Sequence, residues 1–189
     1  GDGKSNWMFE SNSQIRLQRS GEALCISQKN VYGNTPGIHD ILLNMDVTID
    51  SNSILDNDHN PDNTIDGNLN SYWASATFSD NYENLVYLNL DLNKFAEISR
   101  IKIYWEYPPL HYHISVSSDN QNFKIVSENL ANPSHVTIDT LKNIETRYIK
   151  ISMIKPHPNH GKLEDQFLYG IRSIEVQANN LETVLVYCR

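Results

Sequence analysis

Two short runs in this 189-residue chain set side by side groups that could do chemistry. Asp66-Gly67-Asn68, followed by Ser71, crowds a carboxylate, an amide oxygen and a hydroxyl into one tight turn that Gly67 allows to bend. Oxygen donors gathered in this way are what a hard cation such as calcium requires. The same residues can also close the turn through their own Asx-type hydrogen bonds, with no metal. His157-Pro158-Asn159-His160 offers two imidazoles, a ligand type that zinc favours, but no cysteine or third ligand stands at helical or hairpin spacing from them, and zinc is a poor reading. Sugar recognition suits these histidines better. It pairs an aromatic face with a few fixed polar groups, and Phe78, Tyr82, Tyr107 and Phe167 flank Asn- and His-rich segments, with His59, His157 and His160 as polar partners.

Catalytic signatures are missing. There is no Gly-x-Ser-x-Gly elbow, no His-Glu-x-x-His, no glycine-rich phosphate loop and no cysteine with a partnered histidine in a recognisable context. Carboxylate pairs at unknown separation do not make a glycosidase, so a binding module is expected rather than an enzyme. The formal charge of −8 describes a surface that repels phosphate backbones, which excludes an electrostatic nucleic-acid partner and opposes anionic bilayers. A ligand must be held by shape and hydrogen bonds. No apolar run is long enough to cross a bilayer as a helix, and Gly1-Asp2-Gly3-Lys4-Ser5 lacks the apolar run of a signal peptide, so the chain reads as a piece of something larger.

The elements that must position these groups are strands. Hydrophobic residues make up 39% of the chain, enough for a real core. They fall in short runs such as Val86-Tyr87-Leu88-Asn89-Leu90-Asp91-Leu92, Tyr112-His113-Ile114-Ser115-Val116, Val136-Thr137-Ile138 and Tyr148-Ile149-Lys150-Ile151-Ser152-Met153. Asn, Asp, Ser, Gly and Pro fill the gaps. Regular short strands with turn signals between them argue for an all-β antiparallel sandwich or barrel. Ser118-Asp119-Asn120-Gln121-Asn122 predicts a hairpin. Trp73, Trp105 and Tyr112 lie inside strand runs and read as core. The irregular stretches 50–63, 75–84, 106–111 and 155–168 are long enough to carry function and form the candidate binding surface, expected to converge around the Asp66 turn.

Several of these runs carry a resemblance. Asn63-Thr64-Ile65-Asp66-Gly67-Asn68-Leu69-Asn70-Ser71-Tyr72-Trp73-Ala74-Ser75 resembles the signature of the discoidin family, the coagulation factor 5/8 type C domains. Val86 to Leu92, Ile101-Lys102-Ile103-Tyr104-Trp105-Glu106, Tyr112 to Asp119, Arg147-Tyr148-Ile149-Lys150-Ile151 and Tyr169-Gly170-Ile171-Arg172-Ser173-Ile174-Glu175-Val176 are similar to its later strands, in the family's order. The resemblance spans 45–177. It implies a galactose-binding-domain-like jelly-roll β-sandwich, and a role in attaching secreted or cell-surface proteins to glycans or phospholipids. In glycan-binding relatives the Asp-Gly-Asn turn often holds a structural calcium. The matching positions here, Asp66, Asn68 and Ser71, would be joined by the carbonyl of Asn63 and the carboxylate of Glu175. Two carboxylates imply modest affinity.

The flanking segments, 1–44 and 178–189, read as short strands outside the sandwich. Trp7-Met8-Phe9, Gln14-Ile15-Arg16-Leu17 and Ser20-Gly21-Glu22-Ala23-Leu24-Cys25-Ile26 resemble the start of a ricin-type β-trefoil repeat, and Thr183-Val184-Leu185-Val186-Tyr187-Cys188-Arg189 is similar to its continuation. On this resemblance the sandwich is inserted in the repeat, as in multidomain proteins of protozoan parasites that combine ricin-like, discoidin and LCCL modules. The only cysteines, Cys25 and Cys188, could be two unconnected thiols or one disulfide joining the ends. The repeat implies the disulfide, hence an oxidising, extracellular setting. The expected partner is a glycan or glycoprotein on a cell surface. Phospholipid is the alternative, through loop tips at Ile54-Leu55, Phe78 and Pro108-Pro109-Leu110; Asp50, Asp56, Asp58, Asp80 and Glu83 around those loops oppose an anionic membrane. A protein–protein spacer is a further alternative.

Overall fold

Alternation of apolar and polar residues decides which face of each strand is buried. The computed structural model of the protein describes residues 13–20, 23–30, 39–40, 46–80, 83–178 and 181–187; Tyr82 and Cys188 lie outside them. Among the described residues the strands are β1 (Ser13–Ser20), β2 (Ala23–Asn30), β3 (His39–Asp40), β4 (Thr48–Ser51), β5 (Trp73–Ala74), β6 (Val86–Tyr107), β7 (Pro109–Ser117), β8 (Lys124–Asn129), β9 (Val136–Pro156), β10 (Lys162–Leu163), β11 (Gln166–Phe167), β12 (Gly170–Ala178) and β13 (Leu181–Tyr187).

The chain divides into two compact units, residues 1–39 with 179–189, and residues 40–178. In the smaller unit β2 pairs antiparallel with both β1 and β13, and Cys25 stands opposite Gln18 on one side and Leu185 on the other. Strands from both ends of the chain therefore share one sheet.

The larger unit is built on two very long strands. Each run was expected as two separate strands, yet β6 and β9 are continuous. Asn93 and Asn143, with φ of 60° and 49°, take the bends, in a left-handed conformation that asparagine tolerates better than most residues. Residues 86–91 of β6 pair with 148–153 of β9; after a register shift, 96–104 pair with 136–146. The pairing of 86–91 with 148–153 continues outward through β4, β7 and β8, and the second half of β6 continues through β12 and β5, which makes the two layers of an antiparallel sandwich.

Between the layers lie Leu88, Leu90, Leu92, Ile101, Ile103, Ile114, Ile149, Ile151, Met153, Ile171 and Val176, all buried. Burying each such side chain stabilises the fold by about 1.5–3 kcal/mol. Trp73, Trp105 and Tyr112 are core residues, as their strand positions indicated, at 0%, 2% and 1% exposure. Their polar atoms are satisfied: Trp73 Nε1 donates to the Ser53 carbonyl at 3.1 Å, Trp105 Nε1 to Thr137 Oγ1 at 3.0 Å, and the Tyr112 hydroxyl to Asp139 Oδ2 at 3.0 Å. Burial pushes the Tyr112 phenol up to about 12, so it remains a donor to that carboxylate.

The predicted hairpin joins β7 to β8. Asp119 Oδ1 accepts the backbone N–H groups of Gln121 and Asn122 at 2.9 and 2.8 Å, and Asn120 takes φ of 61°. Those hydrogen bonds, that of Asn122 foremost, hold the Asp119 carboxyl far below its usual range.

Candidate functional site

The loop after β4 is shaped by one carboxylate. Asp56 Oδ1 accepts the backbone N–H groups of Asp58 and His59, both at 3.0 Å, and lies 2.7 Å from the His59 Nδ1. The imidazole hydrogen bond is the largest cause that lowers the Asp56 carboxyl. It also orients the ring through Nδ1. Asn63 then ties the loop down, its Nδ2 donating to the Asp58 carbonyl at 2.7 Å and the Tyr72 carbonyl at 2.9 Å. The consequence is a ring pair, with the centroids of His59 and Tyr72 4.4 Å apart and tilted by 45°.

Tyr72 is the centre of a wider shelf. Tyr107, at the end of β6, meets it edge-on at 6.2 Å, and the Arg172 guanidinium lies 5.7 Å from the centroid of the Tyr72 ring. Arg172 is itself held by an ion pair with Glu106 and a 2.7 Å hydrogen bond to the Leu69 carbonyl, in the turn that begins at Asp66. Burial, above all, raises the Tyr107 phenol. Gly170 makes room behind it, since a Cβ there would stand 2.7 Å from Tyr107 Cδ2 and 3.2 Å from Glu106 Cβ. His59, Tyr72, Tyr107 and Arg172 are all half-buried and present atoms to solvent. An aromatic surface bordered by an imidazole, a phenol and a guanidinium can stack on an apolar ligand face while its edges hydrogen-bond to hydroxyls.

Sequence reasoning had named His59 and Tyr107 for this surface, and they meet through Tyr72. Tyr72, Arg172 and Glu106 had been passed over as ligand contacts. Two signals could have found them: Tyr72 precedes the buried Trp73, and Arg172 sits in a strand run between the buried Ile171 and Ser173, so both face away from the core. The other aromatics go elsewhere. Phe78 and Phe167 exchange backbone hydrogen bonds at 2.9 and 2.8 Å and stack at 6.2 Å. Phe167 is 8% exposed and Phe78 packs on the core, so neither offers a free ring face of the kind expected of them. Tyr82 is not among the described residues. His157 and His160 form a separate cluster with His135, at 4.6 and 5.1 Å between centroids.

The Asp66 turn is closed from within. Asp66 Oδ1 accepts the Asn68 N–H at 2.8 Å and Oδ2 the Ser71 hydroxyl at 2.6 Å, while Asn68 Oδ1 accepts the Asn70 N–H at 3.0 Å. The donor types suit a hard cation, and the Ser71 hydroxyl already has two acceptors within the turn, Asp66 Oδ2 and the Asn68 carbonyl at 2.9 Å. Glu175 stands on β12 opposite Lys102. Among the described residues no three His, Cys, Asp or Glu side chains are grouped to hold a metal ion. Of the apolar tips that a membrane would need, Pro108 and Pro109 are buried and Phe78 is partly buried, while Ile54 is exposed.

Solved structures share this fold. The chitosan-binding module 1 from the chitosanase/glucanase of Paenibacillus sp. IK-5 superposes with a TM-score of 0.62 at 18% identity, covering 73% of this chain and 98% of its own. Module 2 of the same enzyme, solved in complex with chitotriose, gives 0.60 at 20% identity over 70% and 96%. The family 32 CBM from C. perfringens NanJ, in complex with galactose, gives 0.60 at 20% over 74% and 98%. No curated protein sequence matches the chain. The model of the F5/8 type C domain matches residues 48–164, a stretch that holds both long strands, the Asp66 turn and most of the shelf, and the chain belongs to that family.

Proposed function

We propose that this chain is a non-catalytic, extracellular recognition module that binds carbohydrate through the shelf of His59, Tyr72, Tyr107 and Arg172. The observation that carries this reading is the geometry of Tyr72, whose ring is bordered on three sides by groups able to hydrogen-bond. A shelf of this kind is indifferent to the net charge of −8. The ligands of its structural neighbours, chitotriose and galactose, are the sugars to try first. The phospholipid reading has less support, because the apolar tips it needs are largely packed and carboxylates surround them. Secretion, and membership of a larger chain with ricin-like modules, belong to the same proposal and rest on the resemblance of the flanking segments.

Calorimetry with chitotriose and galactose tests it. Tyr72→Ala is expected to lose about 1–3 kcal/mol of binding to whichever sugar is bound, with the melting temperature almost unchanged. Undiminished affinity in both Tyr72→Ala and Tyr107→Ala would place the site elsewhere.

A further inference from the structure

Next to the Tyr107–Pro108 corner, three imidazoles come together with no carboxylate among them. His135 lies on the segment leading into β9, and its Nδ1 is 3.3 Å from the Trp105 carbonyl. His157 and His160 lie in the tight turn after β9. The N–H of His157 donates to the Pro108 carbonyl at 3.1 Å, and its own carbonyl accepts from the Gly161 N–H at 2.9 Å. Gly161 is packed so closely that a Cβ there would come within 3.0 Å of the Pro108 carbonyl oxygen. The turn therefore braces the corner formed by Tyr107 and Pro108.

The bracing depends on one lone pair. Nδ1 of His157 accepts the backbone N–H groups of Asn159 and His160, each at 3.1 Å. The neutral ring must then carry its proton on Nε2. A second proton would have to go on Nδ1, where an N–H would point at two other N–H groups. The turn cannot keep its geometry and accept that proton. Burial first, then the neighbouring His160 and His135, also hold the His157 imidazole below its ordinary value of 6.5.

The charged groups on the surrounding elements offer no compensation. Glu106 on β6 is paired with Arg172, Lys162 lies over the Phe167 ring, and Lys155 stands opposite His111. Residues 131–136 and 156–161 carry no titratable side chain other than the three histidines.

We infer that His157, packed against His160 and in one cluster with His135, is a proton-operated latch on the Tyr107–Pro108 corner, closed when its imidazole is neutral and opened in mildly acidic solution, where it weakens carbohydrate binding. The link to binding rests on the proposed role of Tyr107 in the shelf; the latch itself does not. The sign follows from linkage: a histidine held below its ordinary value binds more protons in the open state, so closure is complete above about pH 6.5 and is lost as the pH falls below it.

The whole 189-residue chain supplies the test, beside His157→Asn. An asparagine Oδ1 can accept the same two N–H groups, as Asp119 Oδ1 does from Gln121 and Asn122, and it does not titrate. Affinity for chitotriose or galactose is measured from pH 7.5 to 5.0, with ¹⁵N spectra of the His157 and Gly161 amides over the same range. The wild type is expected to lose affinity by up to about tenfold per pH unit for each proton taken up, and both amide signals should shift together. His157→Asn should keep its affinity and its amide positions at pH 5.0. Equal loss in both proteins, or none in the wild type, overturns the coupling to binding. Amides that do not respond to pH in the wild type overturn the latch. If neither sugar binds at any pH, the shelf reading fails, and the amide titration still decides the latch.

Discussion

Asp66 shows how much one exposed carboxylate organises. It takes a backbone N–H and a hydroxyl across five residues of chain, and the same turn supplies the Leu69 carbonyl that anchors Arg172 beside Tyr72. Asp66→Ala leaves the Asn68 N–H to water and the Ser71 hydroxyl with only the Asn68 carbonyl as acceptor, so it is expected to cost about 1 kcal/mol of stability and to weaken sugar binding through Arg172. The calcium proposal adds a separate expectation. Millimolar calcium should raise the melting temperature of metal-stripped wild type but not that of Asp66→Ala. A wild-type melting temperature that ignores calcium would leave the turn to its hydrogen bonds. The oxygen-rich composition of this turn was legible in the sequence. Which of its protons point inward depends on the local fold, so composition alone could not choose between metal and hydrogen bonds.

At the scale of elements, the start of β12 sets the position of the shelf. Gly170 pairs with Ala74 of β5 on one side and with Tyr107 of β6 on the other. Trp73, Glu106 and Tyr107 crowd the place where a side chain would be. Gly170→Ala should push the Tyr107 ring off its seat, costing about 1–3 kcal/mol of stability from overpacking and weakening sugar binding as well. Thermal melts and calorimetry on the same variant would separate the two; a variant as stable and as tight as wild type would show that the ring moves without consequence. The strands themselves were readable from alternation, and the Asp119 hairpin from its turn residues. The fusion of two expected strands into β6, and of two more into β9, was not. Only the renewed pairing of β6 with β9 beyond Asn93 and Asn143 makes those residues bends within a strand rather than breaks between two.

For the whole molecule, the prediction concerns the ends. β2 and β13 are hydrogen-bonded neighbours, and Cys25 pairs in register with Leu185. Cys188 lies outside the described residues, so the bridge between Cys25 and Cys188 stays a proposal. Closing a loop that long would stabilise the chain by about 5 kcal/mol in the chain-entropy model, with less often realised. Non-reducing mass spectrometry is expected to find both thiols blocked and linked. Two thiols that alkylate readily in the folded protein would overturn the bridge and remove one support for an extracellular setting.

The sequence by itself determined the class of the molecule. Period-two alternation leaves a residue such as Leu88, Ile103 or Ile151 no choice but the inner face, and the aromatic core residues Trp73, Trp105 and Tyr112 followed from their places in those runs. Tertiary structure decided which loop aromatics meet a ligand. A loop side chain has no periodicity to orient it, so its direction is set by partners far away in sequence. Phe78 is drawn inward by Phe167 and Tyr169, while Arg172 is held beside Tyr72 by a carbonyl 103 residues earlier in the chain. Contacts at that separation exist only once the two layers have closed.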